Sequence, residues 1–188
     1  MAEKIITIGG IRGSGKTKLT GFLNMTFGAP SISPGNTAKM LFEQKELAEE
    51  DALAYQTKHL FPDELMFKII EASPASKAPI FFLEEIPGNK GQATMIREKF
   101  PQAEFYLIEI TPSKSALKKR RKKLLEKESP EVIDLQIKIY EEETKPVLEE
   151  FPFKEILRIQ GAGKEELQIH KEISEWIEKM GILKKRKN

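Results

Sequence analysis

The sequence predicts a single α/β domain built on a parallel five-stranded sheet, with helices on both faces of the sheet. Short runs of apolar and β-branched residues alternate with longer segments of helical periodicity, which is typical of successive β-α units. The run PIFFL at 79–83 is apolar throughout, as expected of a strand buried on both faces. A chain of 188 residues, 39% of them apolar, suits one hydrophobic core, and we expect no second full domain.

The individual strands and helices follow from the same patterns. The strands are predicted at 4–8, 79–83, 104–110 and 156–159, and a short piece at 30–32 is the candidate for the fifth, although proline is uncommon within strands. Helices are predicted at 15–25, 63–71, 91–100, 113–128, 130–149 and 164–180, with Ser113 and Ser129 at N-cap positions. The basic residues at 184–187 could bind a partner, but we expect a frayed, solvated end.

Composition excludes several classes of partner. The 31 basic side chains nearly balance 29 acidic ones, so no global field attracts nucleic acid or anionic lipid. The chain has no cysteine, which rules out disulfides and thiolate chemistry and suits a reducing compartment. No apolar run approaches the roughly 20 residues that a membrane span needs, and the first residues lack the pattern of a signal peptide. We therefore expect a soluble cytoplasmic monomer.

The strongest chemical signal is the octapeptide GIRGSGKT at 10–17, which satisfies G-x-x-x-x-G-K-[ST] between a predicted strand and a predicted helix. Glycines let the backbone approach an anion closely, and amide N–H groups at a helix N-terminus point at it. A glycine-rich turn that only closed a corner would need neither the lysine nor the threonine. The residues predicted to bind the phosphates of a nucleoside triphosphate such as ATP are Gly10, Arg12, Gly13, Ser14, Gly15, Lys16 and Thr17, the last also offering its hydroxyl to Mg²⁺.

Several further segments carry a family resemblance. The segment FGAPSISPGN at 27–36 is similar to "YGxxxISTGD", and FFLEEIP at 81–87 with Gln92 after it is similar to "hhLDGFPR" and its downstream glutamine. The segments 62–65, 140–147 and 159–161 add weaker matches. The chain thus resembles the adenylate kinase family of nucleoside monophosphate kinases over most of its length. The resemblance implies a three-layer P-loop NTPase fold with a small lid at about 120–132 and acceptor-binding helices at about 33–72.

The same resemblance assigns the acceptor site, with departures from the family pattern. It implies that the acceptor contacts Gly35, Asn36, Lys39, Pro87 and Gln92, and that Gly161 lies near the base of ATP. Pro34, Asn36 and Lys39 stand where the family has threonine, aspartate and arginine. Gly88 replaces the arginine that grips the acceptor phosphate, and Lys39, Lys90 and Arg97 are the candidates to replace it. AMP is therefore expected to be a weak acceptor at best.

Two adjacent acids, Glu84 and Glu85, end the apolar strand at 79–83. Ligands of open α/β sheets bind at the carboxyl ends of the strands, and P-loop proteins place there the carboxylate that orders Mg²⁺ and its waters. Glu84 occupies the aspartate position of the family, so Thr17 and Glu84 are the predicted metal residues. Because glutamate is one methylene longer, we expect contact through a water or a slightly displaced ion. The alternative is that both acids are solvated charges at a strand end.

The basic run at 118–123 has three possible interpretations: a nucleic-acid patch, a solvated helix face, or phosphate-binding residues of the lid. At 100° per residue, Arg120 and Arg121 flank the stripe formed by Leu117 and Leu124, whereas the lysines point away. Planar guanidinium is the better donor to phosphoryl oxygens, which favours the lid. The predicted catalytic residues are therefore Lys16, Arg120 and Arg121.

Together these features predict an ATP-dependent and Mg²⁺-dependent phosphotransferase of the nucleoside monophosphate kinase type. It would move the γ-phosphoryl group of ATP to a small acceptor, with a nucleotide as the expected one. Two alternatives stay open at this point. The chain could be a P-loop kinase for a different small acceptor, or a regulatory pseudokinase that binds ATP and transfers little.

Overall fold

A computed structural model describes residues 2–11, 13–58, 61–112, 129–161 and 164–186. Its centre is a five-stranded sheet in which all neighbouring strands run parallel, in the order β2-β3-β1-β4-β5. The strands are β1 Lys4–Gly9, β2 Ser31–Ile32, β3 Ile80–Glu84, β4 Glu104–Thr111 and β5 Glu155–Gln160. Helices cover both faces of this sheet. The predicted P-loop NTPase α/β fold is therefore confirmed.

The position of each strand in the sheet explains its composition. β1 lies at the centre between β3 and β4, and its Ile5, Ile6 and Ile8 are completely buried. A strand covered on both faces is mostly apolar, and the buried Thr7 of β1 donates its hydroxyl to Ile86 O at 3.0 Å. β5 lies at one edge, where half of the residues are polar and most side chains are at least partly exposed. β2, the other edge, is only two residues long, and the carbonyl of Pro30 just before it accepts a hydrogen bond from Phe82 at 2.9 Å.

The described helices pack on the sheet in two layers. One layer buries Leu23 and Ile173 against one face of the sheet, and the partly buried Trp176, the only tryptophan of the chain, packs on this cluster. The other layer buries Ile70 and Ile96 against the opposite face. None of the described helices is long and apolar enough to cross a membrane. The helices are α1 Lys16–Phe27, α2 Pro34–Glu43, α3 Glu49–Lys58, α4 Asp63–Ala72, α5 Lys90–Lys99, α6 Pro130–Ile139, α7 Lys145–Glu150 and α8 Glu166–Lys179.

The prediction of one continuous α-helix at 130–149 is wrong, because a π-helical turn at Tyr140–Thr144 separates α6 from α7. The N–H of Lys145 donates to the carbonyl of Tyr140, five residues earlier. Pro146, just after this turn, has no N–H for a regular helical bond, which interrupts the ladder locally. Ser129 does occupy the N-cap position of α6, but its side chain makes no capping hydrogen bond. The predicted helix at 113–128 and its cap Ser113 lie outside the described residues.

The basic side chains at 184–186 are exposed, as expected of a solvated end, but the tail is not frayed as far as Arg186. The N–H of Arg186 donates to the carbonyl of Thr26 at 3.0 Å, near the end of α1. The Arg186 side chain packs over Gly28, where an added Cβ would lie only 2.0 Å from Nε. Lys185 pairs with Glu178 of α8 at 2.7 Å. The unpaired carbonyls at a helix C-terminus attract donors and positive charge, which accounts for this docking.

Candidate functional site

The glycine-rich loop between β1 and α1 closes tightly against β4. Gly10, Gly13 and Gly15 all have positive φ, at 138°, 78° and 102°. At Gly10 a side chain is excluded, since a Cβ there would lie 2.5 Å from the backbone oxygen of Ile110. A hydrogen bond from Ser14 N to Ile11 O, at 3.0 Å, closes the turn. The loop therefore has the close backbone curvature that its sequence predicts, while Arg12 lies outside the described residues.

Two polar side chains of this loop are buried and directed at its interior. The Lys16 side chain is 6% exposed, and its Nζ donates to Gly10 O at 2.7 Å and Ile11 O at 3.2 Å. The same Nζ pairs with Glu85 Oε1 at 2.8 Å. Ser14 is 4% exposed, and its buried Oγ has no hydrogen-bond partner in the described chain. A buried hydroxyl without a partner is unfavourable, so a ligand oxygen in the loop would stabilise it.

Oxygen atoms from three elements meet beside the loop at the predicted metal residues. The Thr17 hydroxyl donates to Glu84 Oε2 at 3.4 Å, and the Ser33 hydroxyl donates to the same oxygen at 3.0 Å. Glu84 is buried at the end of β3. Among the described residues, no group of three or more acidic or histidine side chains is placed so that it could hold a metal ion. The one carboxylate of Glu84 with the neighbouring hydroxyls of Thr17 and Ser33 fits Mg²⁺. This ion commonly takes one or two carboxylates and completes its shell with waters and substrate phosphates.

A small pocket lies beside the loop at the ends of β4 and β5. Its lining includes Ser14, Pro112, Gly161 and Ile169, together with His170 of α8. Gly161, predicted to lie near the base of ATP, donates its N–H to Thr111 O at 2.8 Å. The His170 ring stacks on Phe22 with centroids 4.2 Å apart. Sequence reasoning did not assign His170 to this pocket, since an isolated histidine in an amphipathic helix gives no signal for it.

His170 gives a prediction about acid stability. Burial lowers the pKa of its imidazole, with Glu166 opposing the shift and Lys18 adding to it. The unfolded chain then binds more protons than the folded one between the folded pKa and the ordinary value of about 6.5. This contribution to stability is fully present above that range and is lost as the pH falls through it. We expect chemical denaturation at about pH 7.5 and 5.5 to show a smaller loss of stability in His170→Gln than in the wild type. Equal losses would contradict the assignment.

A cleft of about 720 Å³ opens from the loop towards α2, α4, the end of β3 and the π-helical turn. All five residues predicted to contact the acceptor line this cleft: Gly35, Asn36, Lys39, Pro87 and Gln92. We call the part bounded by Lys39, Asp63, Glu85, Gly88 and Glu143 the distal half of the cleft. Lys90 and Arg97, two candidates to replace the missing arginine, are exposed on α5 and do not line it. Only Lys39 of the three candidates does so.

Gln92 lines the cleft, but its amide is engaged within the chain. Its Oε1 accepts from Gly88 N at 2.8 Å, and its Nε2 donates to Asp63 Oδ1 at 2.7 Å. Asn89 Nδ2 donates to both oxygens of Asp63 at 3.1 Å. Gln92 is 7% exposed. The side chain therefore ties the loop after β3 to the start of α4, and reading a base would require it to leave both partners.

The π-helical turn forms the opposite wall of the cleft and is anchored to the sheet. The Tyr140 hydroxyl donates to Glu109 Oε1 at 2.6 Å, and Arg158 Nε donates to Glu109 Oε2 at 2.8 Å. Burial and the Glu109 carboxylate raise the pKa of Tyr140 far above its usual range. The Thr144 hydroxyl donates to Gly88 O at 2.9 Å and so joins the turn to the loop after β3. These roles of Tyr140 and Thr144 depend on contacts that have no local sequence signal.

The fold and the glycine-rich loop together define the class: this chain has the P-loop NTPase α/β fold. No family model matches the sequence. The sequence is similar to that of an adenylate kinase from Bifidobacterium longum (strain NCC 2705). The two are 27% identical over 155 residues, which cover 77% of this chain and 83% of the relative. The similarity supports a relationship to the P-loop kinases. Arg120 and Arg121 of the predicted lid lie outside the described residues.

Proposed function

We propose that the protein is an ATP-dependent phosphotransferase related to the nucleoside monophosphate kinases, which moves the γ-phosphoryl group of ATP to a small acceptor. The observation that carries this proposal is the buried Lys16 inside a tightly curved loop that opens onto a cleft of about 720 Å³. Phosphoryl transfer depends on positioning and on neutralising negative charge, and both requirements fit this arrangement. The similarity to adenylate kinase agrees with it.

Each part of the donor site has a residue suited to it. The loop N–H groups and the Ser14 hydroxyl would hold phosphate oxygens, and the base would enter the small pocket beside Gly161 and His170. Thr17 and Glu84 would hold Mg²⁺, directly or through water. The ion, when bound, neutralises the developing charge on the phosphates. Lys16 would leave its ion pair with Glu85 and bind the β and γ phosphates, because the charge-assisted hydrogen bond to phosphate compensates for the lost ion pair.

The acceptor is less defined than the donor. The family resemblance favours a nucleotide, whereas the distal half of the cleft favours a different small acceptor. There the Gln92 amide is already bonded to Gly88 and Asp63. The Cβ of an arginine at 88 would lie 3.2 Å from Gln92 Oε1 and 3.3 Å from the Glu85 carbonyl oxygen, so these groups would have to shift slightly to admit it. A regulatory pseudokinase remains the outcome if ATP binds without transfer. The protein is further proposed to be a cytoplasmic monomer without nucleic-acid or membrane partners.

A coupled assay of ADP release tests the proposal. The full chain is incubated with MgATP and a panel of nucleotides, nucleosides and other small hydroxyl compounds, in parallel with Arg120→Ala/Arg121→Ala and with Lys118→Ala/Lys122→Ala. If the two arginines reach the phosphoryl group in transfer, the arginine variant should lose about a hundredfold or more in turnover with little change in ATP affinity. The lysine variant should retain most of its turnover.

Two results would contradict this proposal in different ways. Binding of MgATP with no transfer to any acceptor would favour the pseudokinase. A lysine variant more damaged than the arginine variant would show that the inward face of the basic run was assigned wrongly.

A further inference from the structure

The charges in the distal half of the cleft do not suit a phosphate. The described lining of the whole cleft includes three lysines, Lys16, Lys18 and Lys39, and three carboxylates, Asp63, Glu85 and Glu143. Lys16 and Lys18 belong to the loop and the start of α1, so Lys39 is the cation on the α2 side. Asp63 is held by its hydrogen bonds to Asn89 and Gln92, and Glu85 pairs with Lys16 at 2.8 Å. Glu143 is a further carboxylate in the wall, and Glu85 joins it when Lys16 turns to the phosphates of ATP. A phosphate monoester carries nearly two negative charges at neutral pH and is commonly gripped by arginine. No arginine of the described chain lines the cleft.

Glu85 stands out because its backbone is in the left-handed region, with φ at 64°. A side chain with a Cβ is disfavoured there, and such residues concentrate at functional sites, where the surrounding structure holds them. Here the N–H of Glu85 continues the sheet by donating to Ile8 O at 3.2 Å. The resemblance aligns this position with a glycine of "hhLDGFPR", so this chain accepts the conformational cost of a carboxylate at this place.

The Glu85 carboxylate lies between the glycine-rich loop and the first turn of α2. Its Oε1 lies 2.8 Å from Lys16 Nζ, which belongs to the loop. Its Oε2 faces Gly35 in the first turn of α2, where an added Cβ would lie 3.7 Å away. The side chain is 55% exposed, so a small molecule in the cleft has access to it. An acceptor that approached the γ-phosphoryl group from α2 would therefore meet this carboxylate.

We infer that the acceptor is a small uncharged compound that presents a hydroxyl group, and that Glu85 is the catalytic residue that binds this hydroxyl and takes its proton. This inference rests on the proposed function. A phosphate acceptor arrives already deprotonated and needs no base, whereas a hydroxyl must lose its proton as it attacks. The carboxylate between Lys16 and α2 supplies the base and at the same time repels an anionic acceptor.

The transfer step balances with these groups alone. The acceptor oxygen forms a bond to the γ-phosphorus while the bond from that phosphorus to the β,γ-bridging oxygen breaks, and ADP leaves with the electron pair. The hydroxyl proton passes to the Glu85 carboxylate and is later released to solvent. A phosphate ester, ADP and one proton are the products. When ATP binds, Lys16 pairs with the phosphates instead of Glu85. The Glu85 carboxylate is then free to accept the proton.

The test compares matched acceptors with the full chain and MgATP. The probes are adenosine, guanosine, cytidine and uridine, each beside its own 5′-monophosphate, with glycerol as a hydroxyl compound without a base and water as the background acceptor. We expect kcat/KM to be higher for a hydroxyl compound than for any of the monophosphates. Glu85→Gln should lower kcat for that compound, or for water, by about a hundredfold or more, with its KM changed less than about threefold. Glu98→Gln, an exposed acid of α5 outside the cleft, should change neither.

A second variant addresses selectivity. Glu85→Gly removes the carboxylate and suits the left-handed backbone, so it should fold well and accept AMP at least about tenfold better than the wild type.

The inference is overturned if the wild type prefers a monophosphate, or if Glu85→Gln is as active as the wild type with every acceptor, water included. Thermal stabilisation by MgATP is measured in the same samples. Its absence from the wild type would refute the proposed ATP-dependent function itself, whereas its presence with either overturning result would refute only the assignment of the acceptor.

Discussion

Replacing Lys16 with alanine is expected to remove most of the thermal stabilisation that MgATP gives to this protein. The lysine is buried inside the loop and held by the carbonyls of Gly10 and Ile11, so it is already directed at the place where phosphates would bind. A ligand at a hundred times its Kd adds about 2.7 kcal/mol to the free energy of unfolding. For a chain of this size that corresponds to a rise in Tm of about 5–10 °C in the wild type.

The comparison needs a control for the loss of a charge. Lys171→Ala removes an exposed lysine of α8 whose Nζ lies 3.8 Å from Glu175 Oε1. This variant should show the full MgATP-dependent rise in Tm. Scanning fluorimetry with and without MgATP measures all three proteins, and the scans without ligand reveal any intrinsic destabilisation of Lys16→Ala. An equal MgATP-dependent rise in the wild type and Lys16→Ala would refute the role of Lys16 in phosphate binding.

The second large effect is expected at Gly10. An alanine there would place its Cβ 2.5 Å from the backbone oxygen of Ile110 and 2.9 Å from Ser14 Oγ, at a φ of 138°. Neither the strand nor the loop can move away cheaply, so we expect Gly10→Ala to lower the free energy of unfolding by about 2–4 kcal/mol. Because the shift would distort the loop around Ser14, MgATP should no longer stabilise the variant. Urea denaturation and calorimetric titration with MgATP measure the two effects.

Gly21→Ala is the matched control, a change of the same size in the helix that follows the loop. A Cβ at Gly21 meets no atom within 4 Å, and the residue lies in the interior of α1. Alanine favours the helix over glycine by about 0.5–1 kcal/mol, so this variant should be more stable than the wild type and bind MgATP equally well. A Gly10→Ala protein as stable as Gly21→Ala would contradict the close packing of the loop on β4.

The central strands were predictable because burial on both faces leaves a strong local pattern. The strands β1, β3 and β4 are mostly apolar in the sequence, with Thr7 of β1 and Glu109 of β4 as buried exceptions. Each observed strand end lies within one residue of the predicted one. The edge strand β5 was also found, as Glu155–Gln160 against a predicted 156–159. In each case the strand composition reflects its place in the sheet, so reading the residues in order was enough.

The helices α2 and α3 were not found from periodicity, although the family resemblance implied helices at about 33–72. α3 is largely polar, with Glu49, Glu50 and Asp51 in its first turn, and so lacks a clear apolar stripe. α2 buries Ala38 in a small cluster with Leu65 and Ile69 of α4, so its support comes from residues distant in sequence. Local propensity is a weak guide where tertiary contacts decide the structure.

The candidate site divides along the same line. The loop, Lys16 and Thr17 could be assigned from sequence because their spacing is itself the signal. The sequence also indicated the adjacent acids Glu84 and Glu85. It did not indicate that Glu84 turns towards Thr17 while Glu85, with its positive φ, turns into the cleft. The partners of Gln92 depend likewise on where α4 begins, which no local pattern specifies. The roles of these residues in catalysis stay predictions.

The single tryptophan offers a built-in optical reporter. Trp176 is partly buried against the same cluster that holds Leu19 and Leu23 of α1, and it lies about 1.7 turns beyond His170 on α8. Excitation at wavelengths that tyrosine does not absorb would therefore follow one chromophore, without a label. Its emission should shift to longer wavelengths when α8 leaves the sheet and water reaches the indole. A fluorometer alone could then record the unfolding curves of Gly10→Ala, Gly21→Ala and His170→Gln.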